Sequence, residues 1–164
     1  LHAIAEDEWL VSRDLKVYYL DANFPFLDGF PLLPHLSHDD GEKVDLAFIY
    51  RDQHGNLTNQ KPTFTGYGAF VSPERGEVDT NKRCKNAGHW QYDLTKYATL
   101  GTWRPNLEFA PLANKKLMEA ILRQQTVKKV FIEPHLKSRL GLKSGKVRFH
   151  GCHAVRHDDH IHVE

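Results

Sequence analysis

Five histidines, His150, His153, His157, His160 and His162, fall within thirteen positions of this 164-residue chain, which carries eleven in all. Imidazole is the commonest metal ligand and the side chain that most readily gains and loses a proton near neutrality, so the cluster points to metal or acid–base chemistry. The five are separated by other residue types, which distinguishes them from an affinity tag. In HDDHIHVE (157–164) the alternation of a strand would put His160 and His162 on one face and Ile161 and Val163 on the other. The apolar pair can then enter a core while both imidazoles reach a cleft. Such a pair serves as two metal ligands, as one ligand beside one catalytic group, or as two surface histidines on an amphipathic strand.

A second element, SHDDGEKVDL (37–46), sets His38 and Asp45 seven positions apart across a turn that Gly41 permits. Val44 and Leu46 anchor an apolar strand so that Asp45 can face the other side. A carboxylate at the start of a buried strand is costly unless a cation or a metal compensates it. The plainer reading is a solvated turn with Asp45 as a cap. Together the two elements offer two imidazoles and a carboxylate. Three nitrogen or oxygen donors with one open position is the arrangement of a catalytic zinc, and two cysteines are too few for a cysteine-rich structural one.

The elements that must position these groups follow from patterning. Residues 15–20 read as a strand and 21–25 as a turn, while 24–35 hold three prolines and one glycine, too broken for regular structure. The near-continuous apolar run at 44–50 (VDLAFIY) predicts a strand buried on both faces. Residues 51–108 are polar and rich in Gly, Asn and Thr, and read as a loop-rich excursion with short strands and turns at HGN and TGYG. Leu112, Leu117, Met118, Ile121 and Leu122 at helical spacing predict a helix over 112–124, with Pro111 acceptable in its first turn. Strands at 127–133, 147–150 and 160–164 and a short helix at 134–140 complete the chain. Helices are too few for a doubly wound parallel sheet. The expectation is an α+β fold: one domain, 1–164, with a central, mainly antiparallel sheet carrying the zinc site and a few flanking helices.

Two motifs carry a family resemblance. Ser37-His38-Asp39-Asp40-Gly41-Glu42-Lys43-Val44-Asp45 resembles the first zinc motif of the lysostaphin/D-Ala-D-Ala metallopeptidase superfamily, and His157-Asp158-Asp159-His160-Ile161-His162 resembles the second. The nearest branch looks like the penicillin-insensitive murein endopeptidases, whose additional histidine three positions before the first ligand is matched by His35. The motifs cover under a tenth of the chain, in the family's order. Lys43 stands where other branches carry Ala, and Leu36 where they carry Ser. The resemblance implies that His38, Asp45 and His162 hold Zn2+, that His160 is general base and acid, and that His157 orients the site or stabilises the tetrahedral intermediate. His35 takes a second-shell or substrate role. It further implies a peptidoglycan substrate, the D-Ala–diaminopimelate crosslink between stem peptides, in the periplasm or otherwise outside the cytoplasm. Within the same superfamily the alternative is a D-Ala-D-Ala-type carboxypeptidase or dipeptidase, for which Arg13, Arg104 or Arg156 would hold the terminal carboxylate. A wall-binding module without turnover is the alternative outside catalysis, and the histidines at 157 and 160, which metal binding alone would not require, argue against it.

The composition agrees with this reading. Twenty-two Lys and Arg against twenty-one Asp and Glu give a net charge of +1, without the basic surplus a dedicated nucleic-acid binder needs. No apolar run approaches the roughly 20 residues that cross a bilayer, and LHAIAEDEWL lacks the features of a secretory signal. Cys84 and Cys152 are candidates for a disulfide, which would stabilise by roughly 4 kcal/mol in the chain-entropy model and would persist in an exported enzyme. Trp90, Tyr92 and Trp103 read as members of a small core, or as lining of the cleft. His54, His89, His135 and His150 read as surface or structural residues, and His153 as a neighbour of the motif that could support it.

Overall fold

The computed structural model describes residues 1–22, 43–97, 99 and 103–164. Among these, α1 (His2–Ala5) and α2 (Glu8–Val11) lead to β1 (Tyr19–Ala22), β2 (Val44–Ala47), β3 (Tyr50–Arg51) and β4 (Leu57–Thr58). There follow α3 (Thr80–Asn86), a 3-10 helix (Trp90–Tyr97), β5 (Glu108–Phe109), α4 (Pro111–Arg123), β6 (Val130–Phe131), α5 (Pro134–Arg139), β7 (Val147–Arg148) and β8 (His160–Val163). One sheet has the order β1-β2-β8-β6-β7, with β6 and β7 parallel and its other pairs antiparallel; β4-β3-β5 form a smaller antiparallel sheet. The fold is α+β, a single small domain with a mainly antiparallel sheet and several helices.

The run at 44–50 is buried as its apolar character requires, but it is not one strand. The ladder of β2 ends at Ala47, and the backbone of Ile49 is satisfied by a side chain instead. Asn114 of α4 accepts from Ile49 N–H through Oδ1 at 2.8 Å and donates Nδ2 to Ile49 O at 2.7 Å. The amide takes the place of a neighbouring strand, and the chain passes from one sheet to the other there. Leu46, Ile161, Val130, Leu117, Met118 and Ile121 belong to one apolar cluster, so α4 supplies the cover the sheet lacks. α1 and α2 pack on α4, where Asp7 pairs with Arg123.

Several boundaries differ from the sequence expectation. The predicted turn at 21–25 is overridden at its start, because β2 offers ladder positions opposite Asp21 and Ala22 and β1 runs through them. The strands predicted at 127–133 and 147–150 shrink to two residues each. Beyond the β6 ladder, Lys129 N–H donates to Glu164 O at 3.0 Å and Glu133 N–H to His157 O at 3.0 Å, outside regular pairing. The excursion at 51–108 contains a helix the patterning does not signal. α3 is capped by Asp79, whose carboxylate accepts Lys82 N–H at 2.8 Å, and it buries Thr80, Asn81 and Cys84 rather than an apolar stripe. Cys84 is bonded to Cys152 across 68 residues, tying α3 to the segment that leads into β8.

Candidate functional site

The register of β2 against β8 builds the site. Asp45 lies opposite His162 and Ala47 opposite His160, so the period of two puts the carboxylate and both imidazoles together while Ile161 and Val163 enter the core. Asp45 Oδ1 is 2.8 Å from His162 Nδ1, and Asp45 Oδ2 lies 3.6 Å from His160 Nε2. Asp45, His160 and His162 are all buried. The cost of hiding a carboxylate is met by two imidazoles and by Tyr67, whose hydroxyl donates to Asp45 Oδ2 at 2.8 Å. Burial, then the Asp45 charge, pushes the Tyr67 phenol far above its ordinary range, so it remains a donor. Its ring meets His160 edge to face, with centroids 5.1 Å apart.

His160 and His162 each have a further carboxylate beside the second nitrogen. His160 Nδ1 is 2.5 Å from Asp159 Oδ1, and the other oxygen of Asp159 accepts Gly68 N–H at 2.6 Å. Gly68 has φ +78°, and an added Cβ would collide with the Thr99 side chain, so only glycine brings that N–H to Asp159. His162 Nε2 lies 3.7 Å from Glu164 Oε1, a carboxylate on the far side of the ring beyond hydrogen-bond length. His157 is held by its backbone. Its N–H donates to Glu133 Oε1 at 3.2 Å and its carbonyl accepts Glu133 N–H. Its ring centroid lies 4.8 Å from that of His160 and 5.5 Å from that of His162. Burial, then the neighbouring histidines His160 and His162, holds the His157 pKa well below the usual imidazole value.

A layer of matched charge supports the site. Asp158 receives Arg156 Nε at 2.6 Å, Arg156 Nη2 at 2.5 Å and Asn81 Nδ2 at 2.9 Å. Arg156 also reaches Asp93 at 3.0 Å, and its guanidinium lies 3.8 Å from the centroid of Phe70. Burial pulls the Arg156 pKa down, but Asp158 and Asp93 more than offset it and the guanidinium is held charged. Glu133 accepts the Thr80 hydroxyl at 2.6 Å, and burial raises its pKa.

Of the residues expected to form the site, Asp45, His157, His160 and His162 come together, and His35 and His38 lie outside the described residues. Among the described residues no group of three or more His, Cys, Asp or Glu side chains is placed to hold a metal ion. Asp45 Oδ1 and His162 Nδ1 are donor types that zinc accepts, but at 2.8 Å they are hydrogen-bonded to each other. Two donors at ~2.0–2.1 Å from a common tetrahedral ion stand roughly 3.3 Å apart, so the pair would have to open to share one.

Other expectations change. Arg156 is committed to Asp158 and Asp93, which removes it as a clamp for a terminal carboxylate. His150 is exposed, as expected of a surface residue, and its ring stacks on Phe131 at 4.2 Å and borders His157 at 5.3 Å and His162 at 5.9 Å. His153 pairs with His89 at 4.4 Å rather than with the motif rings. Trp90 and Trp103 are 79% and 62% exposed and belong to no small core, whereas Tyr92 is fully buried and donates to Asn81. Tyr67, Asp159, Gly68 and Glu133 were not singled out from sequence. The one available signal is the glycine pair around Tyr67 in TGYG, which marks a bend but not its partner. No protein-family model matches the chain, and no curated protein matches it.

Proposed function

We propose that the chain is a zinc-dependent peptidoglycan hydrolase that cleaves the D-Ala–diaminopimelate crosslink between stem peptides. The observation that carries the reading is the meeting of Asp45 Oδ1 and His162 Nδ1 on paired strands, with the rings of His160 and His157 beside them. Asp45 and His162 would hold the metal with His38. Zinc so held supplies a Lewis acid for the scissile carbonyl and lowers the pKa of a water from 15.7 to about 7. Asp159 fixes His160 by accepting at Nδ1, which leaves Nε2, on the Asp45 side, to take a proton from the attacking water and return it to the leaving amine. Tyr67 holds the second oxygen of Asp45, so the carboxylate presents Oδ1 to the metal position. His157, held neutral, can donate a hydrogen bond to an oxygen developing negative charge without carrying a full charge into the site. The Cys84–Cys152 bond supports an oxidising compartment such as the periplasm.

Digestion of purified crosslinked muropeptide dimers, read by mass spectrometry, tests the reading. Conversion to monomers with gain of one water, abolished by a chelator and restored by zinc, is expected. Asp45→Ala should lose both metal and activity. Dimers left intact by zinc-loaded protein would overturn endopeptidase activity, and full zinc occupancy in Asp45→Ala would overturn the ligand assignment.

A further inference from the structure

Trp103 and Phe64 stand side by side on the surface, 62% and 58% exposed, with ring centroids 5.3 Å apart. Two backbone hydrogen bonds tie the Trp103 segment to the one that carries Phe64. Trp103 N–H and Arg104 N–H both donate to Pro62 O, at 2.9 and 3.1 Å. A cavity of about 310 Å³ on one side, with Tyr18, Asn59 and Lys61, and one of about 390 Å³ on the other, with Gln53 and Asn106, share Gln60, Trp103 and Arg104. The second shares Pro105 and Leu107 with a further cavity of about 550 Å³. Hollows that share walls in series outline a furrow with room for an extended ligand.

The lining indicates which ligand. A pyranose ring has an apolar C–H face bounded by hydroxyl and N-acetyl groups. Exposed aromatic rings meet the first, and carboxamide side chains such as Gln53, Gln60 and Asn106 meet the second, each offering both a donor and an acceptor. Lys61 and Arg104 place positive charge beside the two aromatic rings, suited to the carboxylates of an acidic sugar, while the carboxylates Asp52, Glu74 and Glu108 line the two cavities farther along. The protein's net charge of +1 gives no surplus for a phosphate backbone. The furrow is also joined to the hydrolytic centre. Thr63 donates its hydroxyl to Tyr67 O at 2.8 Å and accepts Gly66 N–H at 3.0 Å, so Phe64 and Tyr67, the partner of Asp45, sit on one braced bend.

We propose that this furrow binds the glycan strand of peptidoglycan, with Trp103 and Phe64 as its stacking platform. The proposal rests on the peptidoglycan reading of the site. Anchoring the glycan there raises the local concentration of the stem peptides it carries.

The test is calorimetric titration of the full chain with a peptide-free glycan tetrasaccharide of alternating N-acetylglucosamine and N-acetylmuramic acid. It is paired with hydrolysis of two substrates, intact cell wall and sugar-free crosslinked peptide dimers. Trp103→Ala should weaken tetrasaccharide binding at least tenfold and slow wall hydrolysis at least fivefold, with peptide-dimer hydrolysis within twofold of wild type. Phe64→Ala should give the same pattern to a smaller degree, and an unchanged thermal midpoint in either variant excludes misfolding as the cause. No tetrasaccharide binding by wild type, or equal binding by Trp103→Ala, would overturn the proposal. Equal loss on both hydrolysis substrates would also overturn it, assigning the furrow to the peptide. Tetrasaccharide binding that depends on Trp103, without hydrolysis of either substrate, would keep the furrow and reject the hydrolase.

Discussion

Asp158 and Asp159 are neighbours in sequence, both wholly buried, and they keep opposite company. Asp158 is hydrogen-bonded to a guanidinium and an amide, groups whose charge does not change near neutral pH, and His135 Nε2 stands further off at 3.9 Å. Asp159 faces His160, which can change its charge, and a backbone N–H from Gly68. Arg156 balances Asp158 permanently and locks the approach to β8. Asp45 and Asp159 instead meet imidazoles, Asp45 at 2.8 Å from His162 Nδ1 and Asp159 at 2.5 Å from His160 Nδ1. The same residue type therefore meets a guanidinium on one side and an imidazole on the other.

The largest effect expected from breaking this division is on turnover. His160→Gln keeps an N–H that can donate to Asp159 but offers no nitrogen that accepts a proton. Crosslink cleavage should fall by ~10²–10⁴-fold, the range that general acid–base groups contribute, with the urea midpoint nearly unchanged. Turnover close to wild type would remove His160 from the chemistry.

On the framework side the effect should appear in stability. Arg156→Met retains a long side chain near Phe70 but strands Asp158 in the interior, and breaking a buried pair in this way costs ~3–5 kcal/mol. Asp158→Asn added to it removes the stranded charge and should recover much of the loss. Equilibrium urea unfolding measures both. A loss below ~1 kcal/mol in the single variant would mean that water already reaches Asp158, and the contrast with Asp159 would fail.

How far the site was legible in sequence follows from the same contrast. His160 and His162 on one face, and a carboxylate on the buried strand, follow from a period of two, and the two strands do pair in that register. The groups that orient them come from bends and isolated backbone positions: Gly68 from TGYG, Glu133 from the N-cap of α5, Tyr67 from between two glycines. No periodicity marks such positions, because their partners lie as many as 91 residues away. The helix at 112–124 was legible from its apolar stripe and is found at Pro111–Arg123. α3 was not, because its buried side chains are Thr80, Asn81 and Cys84. The run at 44–50 read as one strand because sequence gives no sign that Asn114 would stand in for a strand at Ile49.

The smallest effect concerns His157, which sharpens the division because, among the described residues, no carboxylate is hydrogen-bonded to its buried ring. Its folded pKa lies well below 6.5. Above pH 6.5 it is neutral in both folded and unfolded chains and contributes no pH dependence. As pH falls below 6.5 the unfolded chain takes up a proton that the folded one refuses, so stability is lost, at up to ~1.4 kcal/mol per pH unit until the folded pKa is reached. Glu133 and Asp158, raised by burial, act with the opposite sign: above pH 4.5 and 3.8 respectively the unfolded chain releases protons that the folded one keeps, and stability falls as pH rises toward their folded values. The wild-type curve therefore mixes the two, and the difference between wild type and His157→Gln isolates the histidine. Urea midpoints at pH 7 and pH 5, in the presence of a chelator to remove any metal contribution, should show the wild type losing more stability on acidification than the variant. Equal losses would mean that His157 is protonated in the folded protein, and its place as the neutral member of the cluster would pass to another ring.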